Sequence, residues 1–200
     1  MVRQVEGIIC AVRHHGENGA IVRLLTPNHG LVSGYVRGAR SRMNRPILMC
    51  GNNVAAEMRQ KAPNQLAGMT IELVTSRAPL LGEPLASAAI EWSTALVAAT
   101  LPEDQPHADV YDALSGLLMA VDAAPSARRW AGAVIGFERL MLFALGYGGV
   151  SVLHAEDWPT VLAGLNENET RLGRHLLSDR RAALLPARER MVERLKRAVA

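Results

Sequence analysis

Aromatic residues are scarce in this 200-residue chain, at 4% against 49% hydrophobic residues overall. A core built from it must be aliphatic, drawn from Leu, Val, Ile, Met and Ala. Cysteine is scarcer still. Cys10 and Cys50 are the only two, too few for a four-cysteine zinc site and no basis for a disulfide scaffold. Long apolar runs are also missing. The longest uncharged stretch, Leu140 to Leu153, holds three glycines and falls short of the roughly 18 to 20 residues a membrane span needs. Met1 to Glu6 contains no extended apolar segment, so no secretory signal is expected and the expected location is the cytoplasm, away from membranes. With 20% charged residues, the composition is that of a folded, core-forming chain.

The charge is uneven along the sequence. Residues 1–80 carry ten Lys/Arg against four Asp/Glu, residues 81–169 three against twelve, and residues 170–200 nine against three. Twenty of the twenty-two basic residues are Arg; Lys61 and Lys196 are the exceptions. Basic ends around an acidic middle suit a protein that offers one face to a polyanion.

The hydrophobic period changes once. Val54, Ala56 and Met58 alternate with Ala55, Glu57 and Arg59, and Met69, Ile71 and Leu73 with Thr70, Glu72 and Val74. That is the period of a strand with one buried face. Val5–Arg13, Ala20–Thr26 and Leu31–Arg37 are further β-rich runs, with Asn18-Gly19 and Pro27-Asn28-His29-Gly30 as turns between them. In Leu31–Arg37, Val32 and Val36 face one way and Ser33, Tyr35 and Arg37 the other. Five strands in about eighty residues fit a small barrel of the OB type. After Pro79 the spacing becomes helical: Leu85, Ala89, Trp92, Leu96; Val110, Leu114, Leu117, Val121; Trp130, Val134, Phe137, Met141, Leu145. Shorter helical patterns follow near Glu156–Leu165 and Glu169–Ser178, and a last helix over about Ala187–Val199. The expected architecture is α+β with two domains: a five-stranded OB barrel over 1–80 and an all-α domain over 81–200.

Catalytic signatures are absent: no phosphate loop, no complete dinucleotide fingerprint, no nucleophile elbow and no His-Glu-x-x-His. His14 and His15 are adjacent near a strand end and point to opposite faces. Cys10 reads as a buried inert thiol. The pairs Glu103-Asp104 and Glu156-Asp157 read as helix-start carboxylates. No catalytic residue, cofactor or metal site is expected, and a binding protein is.

The candidate site is Tyr35-Val36-Arg37-Gly38-Ala39-Arg40-Ser41-Arg42-Met43-Asn44-Arg45, four arginines and no acid. Beside an OB face, Arg37, Arg40, Arg42 and Arg45 would grip successive phosphates, and Tyr35 would offer a stacking surface. Arg13, Arg23, Arg59 and Lys61 are candidates to extend it. Contacts of this kind are sequence-tolerant and weaken with salt. The same residues also suit an RNA-binding OB protein, or an adaptor barrel whose arginines are incidental.

Several segments resemble, in order, the RecO family of bacterial DNA repair proteins. They are Leu24-Leu25-Thr26-Pro27-Asn28-His29-Gly30, Val36-Arg37-Gly38-Ala39-Arg40, Leu101-Pro102-Glu103-Asp104-Gln105-Pro106-His107, Phe137-Glu138-Arg139 through Leu145-Gly146-Tyr147-Gly148, and Leu185-Pro186-Ala187-Arg188-Glu189-Arg190. The resemblance implies binding of single- and double-stranded DNA at the nucleoid, strand annealing, and help in loading RecA recombinase onto DNA coated by single-strand-binding protein. It implies RecR and the acidic C-terminal tail of single-strand-binding protein as partners. It places Arg37, Arg40 and Arg42 in the family's basic loop, with Arg45 as an extension. The tail, ending in an aromatic residue and a carboxylate, calls for an apolar pocket rimmed by arginine. Arg128, Arg129, Arg139 or the Arg171–Arg197 cluster are the candidates for that rim. One departure is plain: relatives' Cys-x-x-Cys pairs have no counterpart in Val150–Leu165, so no zinc is expected and this region is expected to be shortened.

Overall fold

The computed structural model describes residues 2–60, 62, 65–123, 126–148 and 157–199. Five strands come first, β1 (Val2–His15), β2 (Gly19–Thr26), β3 (Gly30–Val36), β4 (Asn53–Arg59) and β5 (Ala67–Thr75). They close into a barrel in the order β1-β2-β3-β5-β4, the Greek-key barrel of the OB type. β1 is long because it serves two neighbours. Val2–Ile8 pairs with β4 and Ile8–His15 with β2, and an irregularity between Ile9 and Ala11 bends the strand between the two. A short parallel pairing of Gly34 with Ala67 and Tyr35 with Gly68 joins β3 to β5. Gly34 is required there, because a Cβ would meet the Met69 side chain.

The lumen is aliphatic, as the shortage of aromatics demands. Val5, Ile9, Val22, Leu24, Val32 and Val54 are among its buried residues. Each step of two along a strand returns to this face. Ile8, Leu25 and Leu31 have the opposite parity and are also fully buried. Along this outer face runs the segment Leu101–Tyr111. The Asp104 amide donates to the Leu31 carbonyl at 3.0 Å, and Leu31 bridges to Glu103. Gly30 has a φ of 67°, and a Cβ there would run into the Gln105 carbonyl. Two of the segments that carry the family resemblance, around Gly30 and around Glu103, therefore meet in space.

The compact units are accordingly not two contiguous blocks split at residue 80. One comprises Met1–Pro79 with Leu101–Tyr111, the other Leu80–Thr100 with Asp112–Ala200. The strap Leu101–Tyr111 leaves the helical block because its backbone bonds to β3.

The helices are α1 (Pro84–Thr100), α2 (Ala108–Ala123), α3 (Ala131–Ala144), α4 (Trp158–His175) and α5 (Leu185–Val199). The three apolar stripes fall on α1, α2 and α3, and Trp92, Leu96, Leu114, Val134 and Met141 are buried as expected. The two short patterns near Glu156–Leu165 and Glu169–Ser178 form one continuous helix, α4. Hydropathy breaks there because Asn168 is a core residue with no exposed surface. Its amide donates to the Glu138 carboxylate at 2.9 Å and to the Ile135 carbonyl at 3.1 Å.

Glu138 is the centre of this helical unit. Wholly buried, it accepts from Trp92 Nε1 at 2.9 Å and from Arg188 Nε at 2.7 Å and Nη2 at 3.0 Å. Side chains from α1, α3, α4 and α5 thus converge on one carboxylate. Burial works against the charge on Arg188, but Glu138 and Glu169 outweigh it and hold the guanidinium above its ordinary pKa. The Phe-Glu-Arg and Leu-Pro-Ala-Arg segments are the two halves of this pair.

No described helix is long and apolar enough to cross a membrane. Among the described residues no group of three or more His, Cys, Asp or Glu is placed to hold a metal. Of the cysteine-free stretch Val150–Leu165, residues 150–156 lie outside the described residues. Burial pushes the Cys10 thiol pKa up, which keeps it protonated.

Candidate nucleic-acid interface

The arginine-rich stretch leaves β3 and is built as a firm turn. Gly38 takes a φ of 63°, and Ala39 turns inward to join the barrel core. The Ala39 amide donates to the Asn18 carbonyl at 2.7 Å, pinning the loop to the β1–β2 turn. Asn44 ties its two ends together. Its side-chain amide donates to the carbonyls of Arg37 at 3.1 Å and Gly38 at 3.2 Å, and its own N–H donates to Ser41 Oγ at 3.1 Å. A loop held by its backbone and by Asn44 does not draw on its arginine side chains. Arg37, Arg40, Arg42 and Arg45 are all exposed, and among the described residues none is paired with a carboxylate. Met43, between them, is 80% exposed.

Next to this loop lies a groove of about 790 Å³. It is lined by Ile21 and Tyr35 from the outward face of β2 and β3, by Met69 of β5, and by His15, Arg37 and Leu66. They come from the end of β1, from β2, from β3 and its exit, from the β4–β5 loop and from β5; strands 2 and 3 and the loop between strands 4 and 5 are among the elements OB barrels present to oligonucleotides. Tyr35 lies over the start of β2, where a Cβ on Gly19 would collide with its hydroxyl. His15 stands edge-on to the Tyr35 ring, centroids 6.3 Å apart and planes at 86°. Tyr35 and Arg37 share the groove; Arg40, Arg42 and Arg45 continue along the loop outside it. An aromatic ring in a cleft beside unpaired arginines combines a base-stacking surface with a phosphate grip.

The extension residues divide. Arg13 is exposed. Arg59 lines the groove but bonds to Glu57 at 2.6 Å. Arg23 is bound to Glu103 at 3.0 Å, and Lys61 lies outside the described residues. Glu103 and Asp104 do not cap α2, which begins only at Ala108. Glu103 Oε1 accepts from Ser33 Oγ at 2.6 Å, and Asp104 lies 3.9 Å from Arg3. Sequence reading missed both roles because the partners sit on strands far upstream. Asp157, by contrast, does cap a helix. It accepts from the Thr160 amide at 2.8 Å and the Thr160 hydroxyl at 2.9 Å, and these bonds hold its carboxyl below the usual range.

The helical unit holds its own cavity, about 760 Å³, lined by Leu80, Leu85, Val121 and Trp130 with Arg194 and Arg197 at its rim. Glu83 and Asp122 share that rim. Of the expected rim residues, Arg128 and Arg129 are exposed but do not line this cavity. Arg139 cannot serve as a rim, being 3% exposed and bound to Glu167 at 2.7 Å and Asn168 at 3.3 Å. Its helical stripe neighbours gave no sign of this, because the partners lie on α4. Within the Arg171–Arg197 cluster, Arg188 is likewise committed to the core.

Comparison with known proteins divides the chain near residue 80. The family model described as "Recombination protein O N terminal" matches residues 1–77, and "Recombination protein O C terminal" matches residues 82–149. A DNA repair protein RecO of Rhodospirillum rubrum is 40% identical over 145 residues, covering 71% of this chain and 58% of the relative. The RecO of Rhodopseudomonas palustris is 41% identical over 146 residues, covering 72% of this chain and 56% of the relative. That of Gluconacetobacter diazotrophicus is 35% identical over 148 residues, with 72% and 58% covered. The matches thus span less than three-fifths of the length of these relatives.

Proposed function

The chain belongs to the RecO family, and from that premise we propose that it acts in DNA repair and recombination as a DNA-binding mediator without catalytic turnover. The barrel holds single- and double-stranded DNA by its backbone, with little regard to sequence. Annealing of complementary strands and the loading of RecA onto DNA coated by single-strand-binding protein follow from that grip, with RecR as a partner, in the cytoplasm at the nucleoid. One observation supports this reading above the rest: four arginines that pair with no carboxylate among the described residues, on a firm loop beside a groove that holds an aromatic ring. Guanidinium groups so placed form charge-assisted bonds with phosphate oxygens, and each neutralised phosphate releases counterions.

The acidic tail of single-strand-binding protein is assigned to the helical cavity. Its aromatic residue suits the wall of Leu85, Val121 and Trp130, and its carboxylates suit Arg194, which donates to the Pro84 carbonyl, with Arg197 available only in exchange for Glu193. This replaces Arg139, which is buried.

The test is a salt titration with dye-labelled single-stranded DNA. Replacing Arg37, Arg40 and Arg42 together by Gln is expected to weaken binding on the order of tenfold or more at low salt. It should also flatten the plot of log K against log salt by about 2, near 0.7 per lost phosphate. A folded triple variant with wild-type affinity and slope refutes the role of the loop. Preference for RNA over a DNA strand of the same sequence would make the barrel an RNA-binding module instead.

A further inference from the structure

We propose that Glu103 is an acidic stop that sets how far a polynucleotide strand reaches along the barrel, and that Arg23 and Ser33 beneath it are a latent phosphate site. This rests on the reading that the barrel binds strands, and names the residue that limits its track.

The β2–β3 register defines the track. Ile21 lies opposite Tyr35, Arg23 opposite Ser33, and Leu25 opposite Leu31. These rungs share the outward face and follow one another at about 6.7 Å, two residues of strand. The first rung opens into the groove beside Arg37. The third is fully buried. The second carries a guanidinium and a hydroxyl side by side, a pair suited to phosphate oxygens, and one oxygen of Glu103 takes both. Ser33 Oγ donates to Oε1 at 2.6 Å, and Arg23 Nη2 lies 3.0 Å from the same atom. A strand advancing from the groove meets a carboxylate where its next phosphate would bind.

The carboxylate is placed by the backbone rather than by its own ion pair. Asp104 N bonds to the Leu31 carbonyl, and Gly30 packs against Gln105. The Arg23 and Glu103 side chains are 28% and 47% exposed, and half-exposed pairs contribute little to stability. Removing the charge therefore leaves only a neutral acceptor beside Arg23 and Ser33, which a phosphate can displace, while the strap stays in place.

The experiment uses the full chain and dye-labelled oligothymidylate across a salt series, with folding checked by thermal melting. Glu103→Gln is expected to bind several-fold tighter at low salt, with a slope steeper by about 0.7, one added phosphate. Adding Arg23→Gln should abolish the gain. Asp109→Asn, on the same segment but bonded to its own neighbour Val110, should leave affinity unchanged. Wild-type affinity and slope in Glu103→Gln overturn the proposal, as does a gain that survives Arg23→Gln or that Asp109→Asn reproduces. Should Glu103→Gln fail to fold, Arg23→Gln in the otherwise native chain decides. It should cost less than Arg37→Gln, since Arg23 is already occupied, and an equal loss overturns the proposal. A wild-type chain that binds no strand at any salt removes the underlying reading; normal binding with an unresponsive Glu103→Gln removes this inference alone.

Discussion

In the barrel unit, Arg37, Arg40, Arg42 and Arg45 stand exposed on a loop held by its backbone bonds and by the Asn44 side chain. In the helical unit, Arg139 and Arg188 are 3% and 2% exposed, and each is gripped by carboxylates. The residue type is the same and the work is opposite. What separates them is whether a carboxylate of the chain already occupies the guanidinium. Once buried, a guanidinium must be paired, because desolvation without a partner costs several kcal/mol. Left exposed and unpaired, it keeps its binding capacity for an outside anion. Counting arginines along the sequence therefore says little about polyanion binding; counting the acids within reach says more.

The largest effect that would break this contrast lies at Glu138. Glu138→Ala leaves Arg188, Trp92 Nε1 and the Asn168 amide facing an empty site, and is expected to cost about 3–5 kcal/mol in urea unfolding. Pairing it as Glu138→Leu with Arg188→Met should recover the part of that loss due to the unpaired guanidinium, since an apolar pair often replaces a buried ion pair without penalty, but not the part due to the Trp92 and Asn168 donors. Arg37→Gln in the barrel should shift stability by no more than about 0.5 kcal/mol while reducing DNA affinity. A helical arginine pair that tolerated single removal, or a basic loop whose neutralisation unfolded the barrel, would erase the distinction.

Second in size is Tyr35, which tests whether the groove adds stacking to the electrostatic grip. Tyr35→Ala is expected to lose about 1–3 kcal/mol of single-strand binding without changing the salt slope, and Tyr35→Phe to keep most of it. A flattened slope in Tyr35→Ala would mean that the ring only positions Arg37. Third, Asn44→Ala removes the bonds that tie Arg37 and Gly38 to the rest of the loop. It should weaken binding by a few-fold with the slope intact, the arginines all being present but less ordered.

The strands were legible because a half-buried strand writes its period into the sequence. Val54 to Arg59 alternates, and the structure buries Val54, Ala56 and Met58. The basic loop was legible as a run of one charge with no acid near it in sequence. The strap was not, because the bond from Ser33 to Glu103 spans 70 residues and no local period encodes such a docking. Glu103-Asp104 looked like capping carboxylates for the same reason. Arg139 looked available because the residues that bury it belong to α4. Asn168 hid α4 itself, since a polar residue at a core position reads as an interruption of the apolar stripe. In each case the missing information was a partner distant in sequence: Arg139 and Asn168 are polar residues placed inside, and Glu103 and Asp104 sit on a strap docked by its backbone.

The smallest expected effect concerns a carboxylate whose partners are local, and so sharpens the contrast from the acidic side. Asp157 caps α4, and its bonds from the Thr160 amide and hydroxyl hold its pKa below the usual value. The folded chain thus keeps this carboxylate charged at pH values where the unfolded chain has begun to protonate it. Its contribution is complete above the unfolded pKa of about 3.9, and is lost as pH falls through the lower folded value. Asp157→Asn retains an acceptor for the Thr160 amide but removes the charge. Its melting temperature should lie slightly below wild type at neutral pH and converge on it as the solution is made more acid. A deficit that stays the same size as the solution is acidified would mean that Asp157 acts on stability by some route other than its charge at the helix start.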